Sequence, residues 1–157
     1  MISKIVFDKL LKKGLTIGFA ESMTGGGLCA ELIKIPGASH VTPGGIIAYN
    51  EEQKTTLLKV DQNILKSYGV VSKEVANHMA RNIRDILQVD IGISITGNAG
   101  PKLQIDSKEL EAFIGFSYQR EETFIHITFD SLTREEAIEK AIKMTYSYLE
   151  KLLEKIG

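Results

Sequence analysis

Three short apolar runs constrain this chain most: LTIGFA at 15–20, GIIAY at 45–49 and VDIGISIT at 89–96. The first is too short for a helix and too apolar for a solvent-facing strand, which fits a buried strand, and the second reads as the next strand. The third alternates in the strand period. Helical spacing fills the stretches between them. Residues 2–13 place Ile2, Ile5, Val6 and Leu10 on one face, and Gly14 stops that helix. A second helix is expected over 25–34, with Leu28, Cys29, Leu32 and Ile33 inward, ended by Pro36-Gly37. Further helices are expected near 51–58, at 62–68 behind Asp61, and at 73–87 behind Ser72 as N-cap. Residues 112–119 and 122–129 read as two strands joined by an Arg120-Glu121 turn and paired antiparallel. A last helix runs from about 133 to 155, capped by Thr133 or Ser131. Its apolar stripe is Ala137, Ile138, Ala141, Ile142, Tyr148, Leu149, Leu152 and Ile156. This alternation is that of a layered α/β domain: a mixed sheet with helices on both faces, a three-layer α/β/α sandwich. A length of 157 residues suits one domain spanning 1–157.

Composition removes several classes of function. The 19 Lys and Arg balance 20 Asp and Glu, leaving a net charge of −1, so a broad nucleic-acid surface is not expected. No apolar run approaches the ~18–20 residues that cross a bilayer, and MISKIVFDKLLKKG has no signal-peptide pattern. A single cysteine cannot form an internal disulfide, which fits a reducing cytoplasm. Three scattered histidines and that cysteine offer little for a zinc site, so neither metal nor cofactor is expected. Cys29 falls on an inward stripe and reads as an inert core thiol. His40, His78 and His126 have no partner at ligand spacing and read as structural.

In a sheet of this kind, ligands bind beyond the carboxyl ends of the strands, where loops lead into helices. Three segments fall at such places. The first, Ala20-Glu21-Ser22-Met23-Thr24-Gly25-Gly26-Gly27, puts a carboxylate and a hydroxyl at the end of a buried strand and then opens a helix with glycines. It fits a serine nucleophile, an anion or oxyanion cradle of free amides, or simply an N-cap with a packing device. It is neither the G-x-S-x-G elbow nor a Walker A loop. Glu21 either orients a site residue or faces water. The second segment ends a strand at Tyr49 and carries Lys54 one turn into the next helix. A lysine is a base only when neutral, so burial or a nearby cation must lower its pKa from ~10.4; otherwise Lys54 is a solvated helix residue. The third, Thr96-Gly97-Asn98-Ala99-Gly100-Pro101, leaves room for a ligand or is a plain loop.

Taken in order, AESMTGG (20–26), IPGAS (35–39), GGIIAYNEEQK (44–54), YGVVSKEVANHMA (68–80) and SITGNAGP (94–101) resemble the CinA carboxy-terminal domain family. The likeness covers most of residues 1–101 and, more loosely, the chain through Gly115. That family includes stand-alone amidohydrolases of nicotinamide mononucleotide (NMN). The resemblance implies deamidation of NMN to nicotinate mononucleotide and ammonia. Ser22 would be the nucleophile, Lys54 the base, and Tyr49 a hydrogen-bonding member of the same cluster. It also implies a substrate pocket built from Glu21, Thr24, Gly25, Gly26, Thr96, Gly97, Gly100 and Arg134, and a homodimer as the common assembly. The partner expected is a small nucleotide, not nucleic acid or membrane. The chain departs from family habit in having no glycine between Gly100 and Gly115. Another departure is Phe129-Asp130-Ser131-Leu132-Thr133-Arg134, where relatives usually carry F-x-G-D-R. Arg134 would then serve from a shifted place. Two other readings fit the same residues: a nucleotide-binding or regulatory protein without turnover, and an amidase for another pyridine nucleotide or small amide.

Overall fold

The computed structural model describes residues 1–101 and 110–156. The glycine-free stretch that separates this chain from family habit falls largely at 102–109, outside the described residues. Strands β1 (Ile17–Glu21), β2 (Gly44–Ile47), β3 (Ile91–Gly97), β4 (Glu111–Tyr118) and β5 (Glu121–Thr128) form one sheet in the order β2-β1-β3-β4-β5. β1 lies parallel to both β2 and β3, whereas β4 and β5 add on antiparallel. The carboxyl ends of β1, β2 and β3 therefore share one edge. The chain leaves β1 toward β2 on one side and returns to β3 on the other, which makes that edge a topological switch point.

Helices α1 (Ile2–Lys13), α2 (Gly27–Ile33) and α6 (Arg134–Lys155) cover one face of the sheet, and α4 (Gln62–Tyr68) and α5 (Lys73–Leu87) the other; α3 is a short helix at Glu51–Thr56. The larger core packs Val6, Leu10, Leu28, Leu32 and Leu149 against Ile17, Phe19, Ile93, Ile114 and Phe116. The smaller core joins Ala20 and Ala48 to Leu58, Val60, Leu65, Val75, Met79 and Ile83. On the α5 face the strands are nearly bare. A Cβ on Gly92 would lie 1.9 Å from the Ala80 carbonyl oxygen, and one on Gly115 2.5 Å from that of Ala76. The Ser94 hydroxyl donates to the Ala76 carbonyl, so α5 sits almost on the sheet backbone. Among the described residues, no helix is long and apolar enough to cross a membrane.

Caps set most helix boundaries. Asn50, Asp61 and Ser72 each accept a main-chain N–H through their side chains. Thr133, not Ser131, caps α6, in a reciprocal capping box with Glu136. Four expectations need correction. The buried face of α1 is Ser3, Val6, Phe7 and Leu10, whereas Ile2 and Ile5 are 37% and 41% exposed. Both stripes obey helical spacing, and the one carrying the larger Phe7 side chain is buried. Helix α2 begins two residues late, because Gly25 and Gly26 adopt left-handed φ of 59° and 102°, and its Ile33 faces solvent. The β4–β5 turn is Gln119-Arg120, since Tyr118 pairs with Glu121. In α6, the expected Ile138, Ile142, Tyr148, Leu152 and Ile156 are only partly buried, flanking an inner line that includes Thr145, Tyr146 and Leu153.

Candidate active site

The three segments singled out in the sequence meet at the shared carboxyl edge. Ser22 follows β1 directly, between the end of β2 on one side and the end of β3 on the other. The chain turns after β2 into α3, where the Asn50 side chain accepts the Gln53 N–H at 2.9 Å. That turn sets Lys54 on the inner side of a short helix, over Ser22. Lys54 is 1% exposed. Its Nζ donates to Ser22 Oγ at 3.0 Å and to the Ala48 carbonyl at 3.0 Å. No carboxylate among the described residues pairs with it. Burial lowers the Lys54 pKa from 10.5 to about 8, against a smaller opposing pull from Glu51. Roughly one lysine in ten is then neutral at pH 7.

The pocket around this pair has a volume of about 110 Å³. Ser22, Met23 and Lys54 line it with Val70, the Gly97–Ala99 main chain segment, Tyr49 and Arg134. Among the described residues, the lining holds two cationic side chains and no acid. At the mouth, Arg134 donates to the Tyr49 hydroxyl at 2.8 Å and to the Gly100 carbonyl at 2.6 Å. Among the described residues no group of three His, Cys, Asp or Glu side chains is placed to hold a metal.

Of the expected site residues, Ser22, Lys54, Tyr49, Gly97 and Arg134 line the pocket, and six do not. Tyr49 does so differently from expectation. Strand β2 ends two residues before it, so it is 61% exposed and bonded to Arg134, with no bond to Ser22 or Lys54. Glu21 is a buried internal cap. Its Oε1 accepts from the Thr24 hydroxyl (2.6 Å), the Gly26 N–H (3.2 Å) and the Leu28 N–H (2.8 Å), and its Oε2 from the Cys29 N–H (3.0 Å). The Gly25 N–H bonds to the Ser22 carbonyl and the Gly27 N–H to that of Thr24. The amides from Gly25 to Cys29 are thus all committed within the loop, so the expected anion cradle there is already filled by a carboxylate of the protein itself. Thr24 spends its hydroxyl on that cap. Gly25 and Gly26 shape the turn. Thr96 donates to the Val70 carbonyl at 2.8 Å and so holds a pocket wall without touching the pocket. Gly100 acts from behind the lining: its carbonyl anchors Arg134 and its N–H donates to Asn98 Oδ1 at 3.0 Å.

Sequence reasoning missed Val70 and Met23. Val70 carries no chemical signature, and only its position on the loop between α4 and α5 brings it to the site. Met23 packs where a Cβ on Gly97 would come within 2.7 Å of its sulfur, so the glycine after β3 leaves room for the methionine.

Glu21→Ala is expected to cost about 2–3 kcal/mol of stability, because it strands a hydroxyl and several amides in a buried position. Urea unfolding measures this, and a loss below about 0.5 kcal/mol would show that the carboxylate is not the cap described.

A hydroxyl hydrogen-bonded to a buried lysine at the carboxyl ends of parallel strands defines a class: α/β proteins with a serine–lysine site at the topological switch point. The comparisons narrow it. Residues 1–153 match the CinA C-terminal domain family, and the chain belongs to that family. It is 38% identical over 149 residues to a competence-damage inducible protein of Bacillus cereus, which covers 95% of this chain and 36% of the relative. The chain thus spans about a third of the length of such relatives. The crystal structure of the competence or damage-inducible protein from Enterobacter asburiae superposes with a TM-score of 0.93 at 29% identity, covering 97% of this chain and 96% of that one. A CinA superfamily protein from Klebsiella pneumoniae gives a TM-score of 0.94 at 23% identity, covering 98% of this chain and 96% of that one, and speaks to the fold alone.

Proposed function

We propose that this domain hydrolyses the carboxamide of NMN to nicotinate mononucleotide and ammonia, with Ser22 as nucleophile and Lys54 as its base. The observation that carries this reading is the 3.0 Å contact between Ser22 Oγ and a buried lysine amine that has no counter-ion among the described residues. Such a lysine sheds its proton far more readily than one in water, and a nearby neutral amine is what a serine nucleophile needs. The family resemblance supplies the substrate. The pyridinium ring of NMN withdraws electrons from the carboxamide and makes its carbon easier to attack.

The steps balance without a further reagent. Ser22 Oγ attacks the carboxamide carbon and its proton passes to Lys54 Nζ. The tetrahedral adduct collapses, and the leaving nitrogen takes that proton and departs as ammonia. Water then attacks the acyl-serine; Lys54 receives the water proton and returns it to Ser22 Oγ. With the Gly25–Cys29 amides committed, a donor to the oxyanion has to come from another part of the lining, such as the Met23 or Ala99 main chain. One such donor is worth about 3–4 kcal/mol. A cavity of about 150 Å³ holds a benzene ring, so 110 Å³ suits the carboxamide and part of its ring. The ribose phosphate would then extend past Tyr49 and Arg134, and the guanidinium is suited to an anion there.

Ammonia release from millimolar NMN, wild type against Ser22→Ala, tests the reading. Release that disappears in the variant is expected. No release above that control would refute catalysis, and a rise in melting temperature with NMN under those conditions would support nucleotide binding without turnover instead.

A further inference from the structure

Resting on the proposed reaction, we infer that the Ser22–Lys54 pocket is a carboxylate-binding site, one that holds the acid product more tightly than the amide substrate and so makes the enzyme product-inhibited. The geometry carries this. Lys54 Nζ is enclosed, and its two hydrogen-bond partners, Ser22 Oγ and the Ala48 carbonyl, are neutral. Among the described residues it lacks an anion, and the pocket lining adds a second cation, Arg134, but no acid. An ammonium in such a place has lost its water without gaining a counter-charge. The product supplies one. The acyl carbon is bonded to Ser22 Oγ before hydrolysis, so the new carboxyl group forms within reach of Nζ. A carboxylic acid is far more acidic than a lysine ammonium. The proton therefore settles on Nζ, leaving carboxylate and ammonium in contact with little solvent between them. The uncharged carboxamide offers Nζ only a carbonyl oxygen.

The charged groups around Lys54 fit a single-site description. Glu51, on the same helix, acts weakly through space and favours the ammonium. Arg134 from α6 and Tyr49 from the β2–α3 turn stand at the mouth, bonded to each other. Glu21 on β1 is turned away into the amides of α2. Val70 and the Gly97–Ala99 wall bring no titratable side chain. Carboxylate binding should then draw on the protonated lysine. Affinity is full below a pH of about 8 and declines as pH rises through that value.

The test is calorimetric titration of Ser22→Ala, which cannot turn over, with nicotinate mononucleotide and with NMN, two ligands that differ only in carboxylate against carboxamide. At pH 7 the carboxylate form is expected to bind about tenfold tighter or more, with the advantage shrinking between pH 8 and 10. Lys54→Met in the same background should abolish the preference; should that variant not fold, the pH series alone decides. Free nicotinate and nicotinamide at millimolar concentration serve as ring-only probes. Equal affinities at pH 7, a preference for the amide, or a preference unchanged at pH 10 would overturn the inference, as would no binding of either acid. Preference for nicotinate without binding of either mononucleotide would retain the carboxylate site and refute the NMN reading. Absence of NMN turnover by the wild type, with the carboxylate preference intact, would do the same for the proposed reaction.

Discussion

Lys54→Met is expected to lower kcat/KM for NMN hydrolysis by about a thousandfold or more while leaving the fold intact. Methionine matches the lysine stem closely in length and shape but has no amine, so Ser22 Oγ keeps its place and loses the group proposed to take its proton. General base catalysis contributes ~10²–10⁴-fold. The same substitution makes an opposite statement about stability. The pKa of Lys54 falls from 10.5 in the unfolded chain to about 8 in the fold. Between those values the folded state binds fewer protons than the unfolded one, so wild-type stability rises with pH across that window. Below pH 8 the full penalty of a buried ammonium applies, about 3 kcal/mol. At pH 7 the methionine variant should therefore unfold at the same or higher denaturant than wild type, with the gap closing as pH approaches 10. A variant that is inactive and also much less stable at pH 7 would mean that Lys54 is there to hold the structure.

The second large effect lies on the opposite face of the sheet from the bulkier core. Gly92→Val is expected to cost about 4 kcal/mol or more, enough to abolish most of the margin of a domain this size. A Cβ there meets the Ala80 carbonyl oxygen at 1.9 Å, a main-chain atom that cannot rotate aside. Helix α5 would have to lift from β3, breaking the Ser94–Ala76 bond and the Thr96–Val70 bond beneath the pocket. Gly14→Asn is the matched control. Gly14 also needs its glycine, at φ 67°, but nothing lies within 4 Å of its Cβ direction, and asparagine tolerates that conformation. The control should lose under about 1 kcal/mol. Guanidinium unfolding of the two variants checks the contrast, and a Gly92→Val variant within 1 kcal/mol of wild type would refute the close approach of α5.

Much of this architecture is legible in the sequence. The short apolar runs marked β1, β2 and β3, and Asp61, Ser72 and the pair Ser131 and Thr133 marked helix starts, because a cap acts within three residues of itself. The convergence of 21–27, 49–54 and 96–101 followed from all three segments ending strands that turn out to be parallel. What was not legible depends on contacts between elements. Whether Lys54 is solvated cannot be read from EEQKTT; it is decided by the packing of α3 over the end of β1. Glu21 looked like a ligand or a solvent-facing acid because its partners, at Gly26, Leu28 and Cys29, are reached only after two left-handed glycines fold the chain back. Tyr49 was expected beside Ser22, but β2 stops at Ile47, and the two residues beyond it carry the ring to the rim. The glycines at 92 and 115 were visible in their strands, yet only the position of α5 shows what they make room for.

The proposed hydrolysis needs an amine that gives up its proton near neutral pH and accepts one from Ser22. The pH dependence of kcat/KM for NMN hydrolysis between pH 6.5 and 10 measures this most directly, since that ratio reports ionisation in the free enzyme. The expected profile rises with unit slope and levels off above a midpoint near the Lys54 value of about 8. A rate that is flat across this range, or one that is still climbing with unit slope at pH 10, would contradict it.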